Sequence, residues 1–206
     1  MKKILALILV IGCIFAFASC NLISSIVPGG SSEPAKETVK DIQKAIDESA
    51  PRGASVTVTL KSDLGDLNGS YNVSYNDDGS ATVNYSYERF NEFTLDSVKN
   101  DFKSTYTGTV TVSADGQLSE EIGGVASVEA VSFDIELDEK YFKSVTVSSS
   151  VLKGVVKAEN TYEVLGVDIA YDVELVIFTG SGRVTSIVIS YESESGPIEI
   201  TSVYRY

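Results

Sequence analysis

The feature that most constrains this chain is a long series of short segments in which apolar and polar residues alternate. The segments follow Gly53 and continue to the end of the sequence, with turn residues between them. An alternation of period two places every second side chain on the same face of a β-strand. Polar residues at the other positions imply one solvated face, which predicts an antiparallel meander rather than a parallel sheet. The alternating apolar positions include Val56, Val58, Leu60, Tyr71, Val73, Val83, Val131, Phe133, Ile135, Leu137, Val145 and Val147.

Turn sequences separate these segments and support the same interpretation. The run Asn76-Asp77-Asp78-Gly79-Ser80 joins two alternating segments and predicts a hairpin. Asp115-Gly116, Thr179-Gly180-Ser181-Gly182 and Ser195-Gly196 are further turn sequences. The chain after Gly53 is therefore expected to be mainly β.

The longest alternating run provides a candidate apolar face. A single strand over this run would point six side chains to one side, with acidic residues between them on the other side. At about 25 cal/mol per Å² of apolar area, leaving such a stripe in water would forfeit several kcal/mol, so we expect it to be covered. The candidate apolar-face residues are Val167, Ile169, Tyr171, Val173, Leu175 and Ile177.

A different period precedes the strands. Between Ala35 and Ser49, the residues Val39, Ile42 and Ile46 recur at the spacing of one helix face, and polar residues fill the positions between them. Ser32 is the expected N-cap, and Pro51-Arg52-Gly53 ends the pattern. The sequence predicts one amphipathic helix ahead of the sheet.

One helix cannot cover the sheet that these strands would form. Eight or nine strands about 4.8 Å apart make an open sheet about 40 Å wide. A helix of about 15 residues is about 22 Å long and about 10 Å across. The sheet must therefore fold into a sandwich, close into a barrel, or curl around the helix. A second short helix at 94–104, or an irregular crossover there, interrupts the series of strands.

The first twenty residues carry the most specific signal in the chain. Met1-Lys2-Lys3 is followed by an apolar run, Ile4 to Phe17, which has the length of a secretory signal. Phe17-Ala18-Ser19-Cys20 resembles the lipobox of bacterial lipoproteins, in which the cysteine is diacylated and becomes the mature N-terminus. Cys13 is a second match, but it leaves an apolar run of only about eight residues. The resemblance implies that Cys20 is lipidated and holds the protein in a membrane of the bacterial cell envelope.

The order of elements also resembles a known architecture. A lipid anchor, a tether, one helix and a long antiparallel meander resemble the carriers and receptors of bacterial lipoprotein transport, of the LolA and LolB type, and related lipid-binding lipoproteins of mycobacteria. That resemblance implies an α+β fold, predominantly antiparallel β, in which a curled meander (a half-barrel) packs on an N-terminal helix. An all-β sandwich or a closed barrel is the alternative. The expected organisation is a signal peptide at 1–19, a lipidated N-terminus and flexible tether at 20–35, and one β-rich domain at 36–206.

Composition excludes several classes of function. The chain has no His, so it has no Ser-His-Asp triad and no imidazole metal ligand. Its formal net charge of −13 argues against a nucleic-acid partner. Both cysteines lie in the first twenty residues, so the mature domain has no disulfide. We expect no catalytic residue, no metal site and no cofactor.

Three patterns that could carry chemistry have simpler interpretations. Acidic pairs such as Asp77-Asp78, Glu120-Glu121, Asp134 with Glu136, and Asp172 with Glu174 could serve a glycosidase, but such charges are usually solvated surface. The run from Asn76 to Ser80 lacks the spacing of a calcium loop. Gly180-Ser181-Gly182 is too short for a phosphate loop and fits a hairpin turn.

The eleven tyrosines are the remaining feature. Tyrosines on strands can stack on sugars or form a platform for a protein, although ordinary cross-strand packing explains most of them. Three functions follow from the whole sequence. The first is a membrane-anchored, non-enzymatic protein that binds an apolar ligand or a lipidated partner in its curled sheet. The second is a structural or surface interaction module without a ligand cavity, and the third is a carboxylate-based hydrolase.

Replacing Cys20 by Ala should remove the lipid anchor, because the thiol is the acylated group. The variant should appear in the soluble fraction or remain unprocessed, whereas the unaltered protein should sediment with membranes. Cys13→Ala is the matched control and should behave like the unaltered protein. Normal processing and membrane retention of Cys20→Ala would contradict the lipobox.

Overall fold

In the part of the chain that the structure describes, eleven β-strands form one open, curled antiparallel sheet, accompanied by short helices. The structure is a computed structural model and describes residues 38–62, 65–90, 103–122, 125–127 and 135–206. The strands are β1 (Gly53–Leu60), β2 (Leu67–Tyr75), β3 (Ala81–Phe90), β4 (Lys103–Val112), β5 (Gln117–Ile122), β6 (Val125–Ser127), β7 (Phe142–Ser148), β8 (Val151–Val156), β9 (Val173–Gly180), β10 (Arg183–Ser193) and β11 (Gly196–Arg205). The helices are α1 (Val39–Asp47) and α2 (Thr161–Leu165), with 3₁₀ turns at Glu139–Tyr141 and Ala158–Asn160.

The strand order shows how the sheet is assembled. It runs β6-β5-β4-β3-β2-β1-β11-β10-β9-β8-β7, which is two meanders joined by the pairing of β1 with β11. In that pair Gly53 lies opposite Arg205 and Leu60 lies opposite Ile198. Among the described strands, β6 and β7 are the two edges and do not pair with each other. The alternative expectation of a sandwich or a closed barrel is therefore wrong, and the antiparallel prediction is confirmed.

Side chains on one face of the sheet, here called the inner face, form the core. The alternation predicted from the sequence is observed in β1, where Val56, Val58 and Leu60 are buried and Thr57 is exposed. The same alternation continues through the neighbouring strands because antiparallel register places buried residues opposite one another. Buried inner-face residues of the other strands include Leu67, Tyr71, Val73, Val83, Val110, Leu152, Leu175, Ile187, Ile189, Ile198 and Ile200.

Two glycines allow aromatic rings to lie flat on the inner face. Gly108 of β4 lies opposite Tyr85 of β3, and a Cβ at Gly108 would sit 2.4 Å from the Tyr85 hydroxyl. A Cβ at Gly154 of β8 would sit 2.5 Å from the Phe142 ring. Glycine in a strand interior usually marks such a close approach. At these two glycines, a neighbouring aromatic ring occupies the space on the inner face that a side chain would otherwise fill.

Helix α1 confirms the amphipathic prediction over Val39–Asp47. Its N-cap is Thr38 rather than Ser32, and the Asp41 carboxylate accepts hydrogen bonds of 2.8 Å from both the Thr38 N–H and the Thr38 hydroxyl. The helix contacts β9 and β10. Just after it, the Ser49 hydroxyl accepts a 3.0 Å hydrogen bond from the Val184 N–H of β10. The buried face of the helix consists of Val39, Ile42, Ala45 and Ile46.

The predicted turns are confirmed, and two of them need glycine. Gly79 adopts φ +82° in the β2–β3 turn, where the Asp78 carboxylate accepts hydrogen bonds from the N–H and hydroxyl of Ser80. Gly196 adopts φ +120°, and a Cβ there would lie 2.0 Å from the Lys61 carbonyl oxygen. The turn between β10 and β11 therefore packs directly on the chain that follows β1.

The segment before β9 departs from the prediction. Residues 161–165 form α2, and Gly166 ends the helix with φ +71°. The Thr161 hydroxyl then accepts a 2.8 Å hydrogen bond from the Ile169 N–H, which fixes the following loop. Strand β9 consequently begins at Val173, and the prediction of a single strand from Val167 to Ile177 is wrong.

Other predictions fall partly outside the described residues. Val131, Phe133 and most of the proposed 94–104 helix lie there, and Lys103 begins β4 instead. Ile135 and Leu137 are buried, but their backbone is irregular rather than a strand. Within the described ranges, no helix is long and apolar enough to cross a membrane.

Leu175→Ala should destabilise the fold by about 2–5 kcal/mol, since its side chain is fully buried on the inner face. The neighbouring Glu174→Ala removes an exposed side chain and should change stability by less than about 0.5 kcal/mol. Urea unfolding of the full chain in mild detergent measures both. Equal effects of the two substitutions would contradict a packed inner face.

Candidate functional site

The predicted apolar face belongs to the core. Val173, Leu175 and Ile177 are each 0% exposed, and Leu175 lies opposite Ile189 on one side and Gly154 on the other. Ile169 is also buried, whereas Val167 and Tyr171 are partly buried and pack against the core from the loop before β9. The structure therefore divides these six residues between a strand and a loop. Cys20, the predicted lipidation site, lies outside the described residues.

A groove of about 720 Å³ crosses the opposite face of the sheet, here called the outer face. One cross-strand row runs along it: Val155 lies opposite Glu174, Glu174 opposite Ser190, Ser190 opposite Glu199, and Glu199 opposite Thr59. The row thus passes through β8, β9, β10, β11 and β1. We call this depression the outer groove. Its floor depends on the pairing of β1 with β11.

Carboxylates dominate the charge of the outer groove. Asp172, Glu174, Glu192 and Glu199 line it, with Lys61 as the one cation among its described lining residues. The sequence pairs only Asp172 with Glu174, since the other two acids come from different strands. Their convergence could not be read from spacing along the chain. Among the described residues, no group of three or more acidic side chains has the geometry of a metal site.

Asp172 is the carboxylate with the clearest electrostatic partner. It is bonded to the Lys143 ammonium of β7 and accepts a 3.1 Å hydrogen bond from the Ala158 N–H. The Lys143 hydrogen bond, together with the Ala158 N–H, lowers the pKa of Asp172 below its ordinary value. A general acid requires the opposite, a raised pKa that keeps its proton near neutral pH. Asp172 is therefore an ionised carboxylate and does not fit the role of the acid in a hydrolase.

Aromatic and apolar atoms share the outer groove with these charges. Tyr171 lines one end of the groove, and its ring stacks on the ring of the buried Tyr191, a residue of the inner face, with centroids 6.2 Å apart and planes 16° apart. The Tyr171 hydroxyl accepts a 3.2 Å hydrogen bond from the Glu194 N–H, which fixes one ring at the end of the groove. Val155 and Pro197 add apolar surface. The groove consequently offers both charge and apolar contact.

Apolar side chains continue across the outer face beside the groove. Val176 of β9 lies opposite Val188 of β10 in the next outward-facing row. One further row along, Phe178 is 37% exposed and Val203 is 48% exposed. The simple expectation of a polar outer face therefore does not hold for β8–β11.

A row of tyrosines occupies the inner face at β3 and β4. Tyr85 and Tyr87 have ring centroids 5.9 Å apart, and Tyr87 stacks on Tyr106 at 5.3 Å. Tyr106 remains 45% exposed. Burial, followed by the nearby Glu120 carboxylate, raises the pKa of Tyr85. Mutual packing accounts for these rings, as the cross-strand interpretation expects.

Two other features, a buried hydroxyl on the inner face and a cleft beside α1, are not explained by this ring packing. The Tyr71 hydroxyl is buried and has no hydrogen-bond partner within the described part of the chain. A cleft of about 550 Å³ separates α1 from the chain at 136–139, lined by Val39 and Leu137 with polar residues around them. The Gln43 amide oxygen crosses it to accept a 2.7 Å hydrogen bond from the Leu137 N–H.

The other acidic pairs predicted from the sequence do not form a candidate catalytic site in the described structure. Asp78 holds the β2–β3 turn through Ser80, and this hydrogen bonding lowers the pKa of Asp78. Glu120 and Glu121 are exposed on β5. Asp134, predicted to pair with Glu136, lies outside the described residues.

Comparisons with known proteins give distant structural matches, one of which is described here. No protein-family model matches the chain. No curated protein matches it either. A crystal structure of LprF from Mycobacterium bovis superposes with a TM-score of 0.39 and 12% sequence identity, covering 81% of this chain and 91% of that chain. At so low a TM-score the similarity defines no function for this chain.

Lys143→Met should raise the pKa of Asp172 toward its ordinary value, because the hydrogen bond from the ammonium is the largest cause of the lowered value. NMR titration of the carboxyl carbon measures this. A carboxyl with a lowered folded-state pKa stabilises the fold above its unfolded pKa, and that contribution disappears as the pH falls through the folded pKa. Lys153→Met, on the exposed side of β8, is the charge-matched control. An unchanged Asp172 pKa in Lys143→Met would contradict the assignment.

Proposed function

We propose that this protein is a non-enzymatic lipoprotein of the bacterial cell envelope, anchored to a membrane through Cys20, whose β domain lies outside the cytoplasm and acts as an interaction module. The anchor rests on the signal-length apolar run and the Phe17-Ala18-Ser19-Cys20 sequence. The tether at 20–35 would hold the domain up to about 50 Å from the bilayer, at about 3.3 Å per residue.

The observation that carries the module proposal is the filling of the inner face. The residues that would have lined a ligand cavity, Val173, Leu175 and Ile177, have no exposed surface. The apolar side of α1 is buried as well and contacts β9 and β10. In the proposed architecture, the helix plugs this part of a half-barrel. A protein whose interior is occupied in this way binds partners on its surface.

The surface offers a place for such binding. The outer groove combines apolar lining with a set of carboxylates, and the adjoining outer face exposes Phe178 and Val203. Exposed apolar groups clustered on a rigid sheet are typical of interaction sites. The hydrolase alternative is weaker, because it needs a carboxyl that holds its proton, and the pKa of Asp172 is lowered.

A carrier of apolar ligands is the second candidate function. The cleft of about 550 Å³ between α1 and the chain at 136–139 is within the size of small-molecule sites. This cleft favours the carrier and can be tested directly.

Photo-crosslinking with a diazirine fatty acid distinguishes the two functions. The experiment uses the full chain in phosphatidylcholine nanodiscs, with and without excess unlabelled fatty acid. Because the interior is filled, we expect no specific labelling of the β domain, that is, none that the unlabelled fatty acid suppresses. Labelled peptides are mapped by mass spectrometry, which separates domain labelling from labelling near the anchor.

Competable labelling of peptides containing Val39 or Leu137 would contradict the module and support the carrier. In that case Val39→Trp, which fills the cleft, should abolish the labelling. Glu163→Gln, an exposed substitution on α2, is the control and should leave it unchanged.

A further inference from the structure

We propose that the outer groove binds a basic segment of another polypeptide in an extended conformation, with lysine or arginine side chains alternating with apolar ones. This inference rests on the proposed interaction module and specifies the chemistry of its partner. It is carried by the shape, the charge and the apolar content of one region of the outer face.

The charge of the outer groove is the first argument. Glu174 and Glu199 flank Ser190 in one cross-strand row, so their backbones lie two strand spacings, or about 10 Å, apart. Glu192 lies two residues along β10 from Ser190, opposite Pro197. These three glutamates form no ion pair with another described residue. The groove therefore presents a triangle of exposed anions, and Lys61, the one cation among its described lining residues, forms an ion pair with none of them.

The apolar content of the region is the second argument. Val155, Pro197 and Tyr171 line the groove itself, and Val176 and Val188 form the adjoining outward-facing row. A small cation surrounded by water would leave these groups uncovered. A peptide strand directs alternate side chains to opposite sides, so a strand lying edge-on can turn its basic groups toward the glutamates and its apolar groups toward the row of Val176 and Val188. The mixed surface thus favours a polypeptide over an isolated amine.

The dimensions of the outer groove fit a short strand of peptide. The row from Val155 to Thr59 crosses five strands, which at about 4.8 Å per spacing gives a length of about 19 Å. About six extended residues span that distance. Side chains two residues apart on such a peptide lie about 7 Å apart, close enough for flexible lysines to reach successive glutamates.

Anionic partners are disfavoured at the same surface. A nucleic acid or an anionic bilayer would place phosphates against Glu174, Glu192 and Glu199. The net charge of −13 would add long-range repulsion. A free polyamine shares the cationic chemistry, and competition by spermidine distinguishes it from the peptide.

Fluorescence anisotropy with a labelled peptide tests the inference. The probe is the six-residue peptide Lys-Val-Lys-Val-Lys-Val, blocked at both ends, added to the full chain in neutral detergent. The double variant Glu174→Gln/Glu199→Gln removes two groove carboxylates while keeping their size. Glu159→Gln/Glu163→Gln removes the same charge from exposed positions at and beside α2 and is the matched control.

The groove variant should bind the peptide about tenfold more weakly than the unaltered protein, and the control should differ by less than about twofold. Urea unfolding should give the same midpoint for both variants, which excludes misfolding as the cause. Spermidine, added at a concentration that supplies the same positive charge as the peptide, should displace little of the bound peptide.

Three results would overturn the inference: no binding, equal weakening by both double variants, or full displacement by spermidine. Equal weakening would mean attraction by net charge alone. None of these results depends on the inner face. The interaction-module proposal is therefore tested separately, by the fatty-acid crosslinking.

Discussion

The pairing of β1 with β11 is the contact on which the rest of the structure depends. It joins a meander built from β1–β6 to one built from β7–β11, and it brings together the first and last strands of the domain. Gly53 and Arg205 face each other although most of the domain lies between them in sequence. Such distant pairing costs loop-closure entropy before it gains contacts, so its strength must come from burial and a full ladder of hydrogen bonds. Val58 and Ile200, opposite one another and buried, supply part of that burial.

The two faces of this single sheet have different roles: the inner face forms the core, and the outer face carries the outer groove. The inner face is continuous across the β1–β11 junction, so α1 and the curled strands enclose a single core. The outer face is continuous as well, and the outer groove lies across the junction itself. Thr59 of β1 and Lys61, just after that strand, line the groove on one side of the junction, whereas Glu192 and Glu199 line it from β10 and β11. The same long-range pairing therefore creates the core and assembles the candidate binding surface.

The sequence predicted strands well where one side is buried and polar residues alternate, as in β1 and β2. It failed where local interactions override periodicity. The run from Val167 to Ile177 has an apolar residue at every second position, yet Gly166 ends a helix just before it and Thr161 hydrogen-bonds to Ile169, so the first half is a loop. Alternation records which side chains are buried, and a loop packed on the core can bury the same residues. For the site, only the Asp172 and Glu174 spacing was visible in advance.

By itself, the sequence determined the secondary-structure class, the amphipathic helix and the hairpin turns, because these depend on local periodicity and on residues that are neighbours along the chain. The export signal and its lipobox are predictions from the same kind of local pattern. The tertiary structure decided that two meanders form one open sheet rather than a sandwich or a barrel. The same alternating pattern satisfies all three arrangements, and only the register of β1 against β11 distinguishes them. It also decided that Glu174, Glu192 and Glu199 converge, since side chains from different strands meet only after those strands have paired.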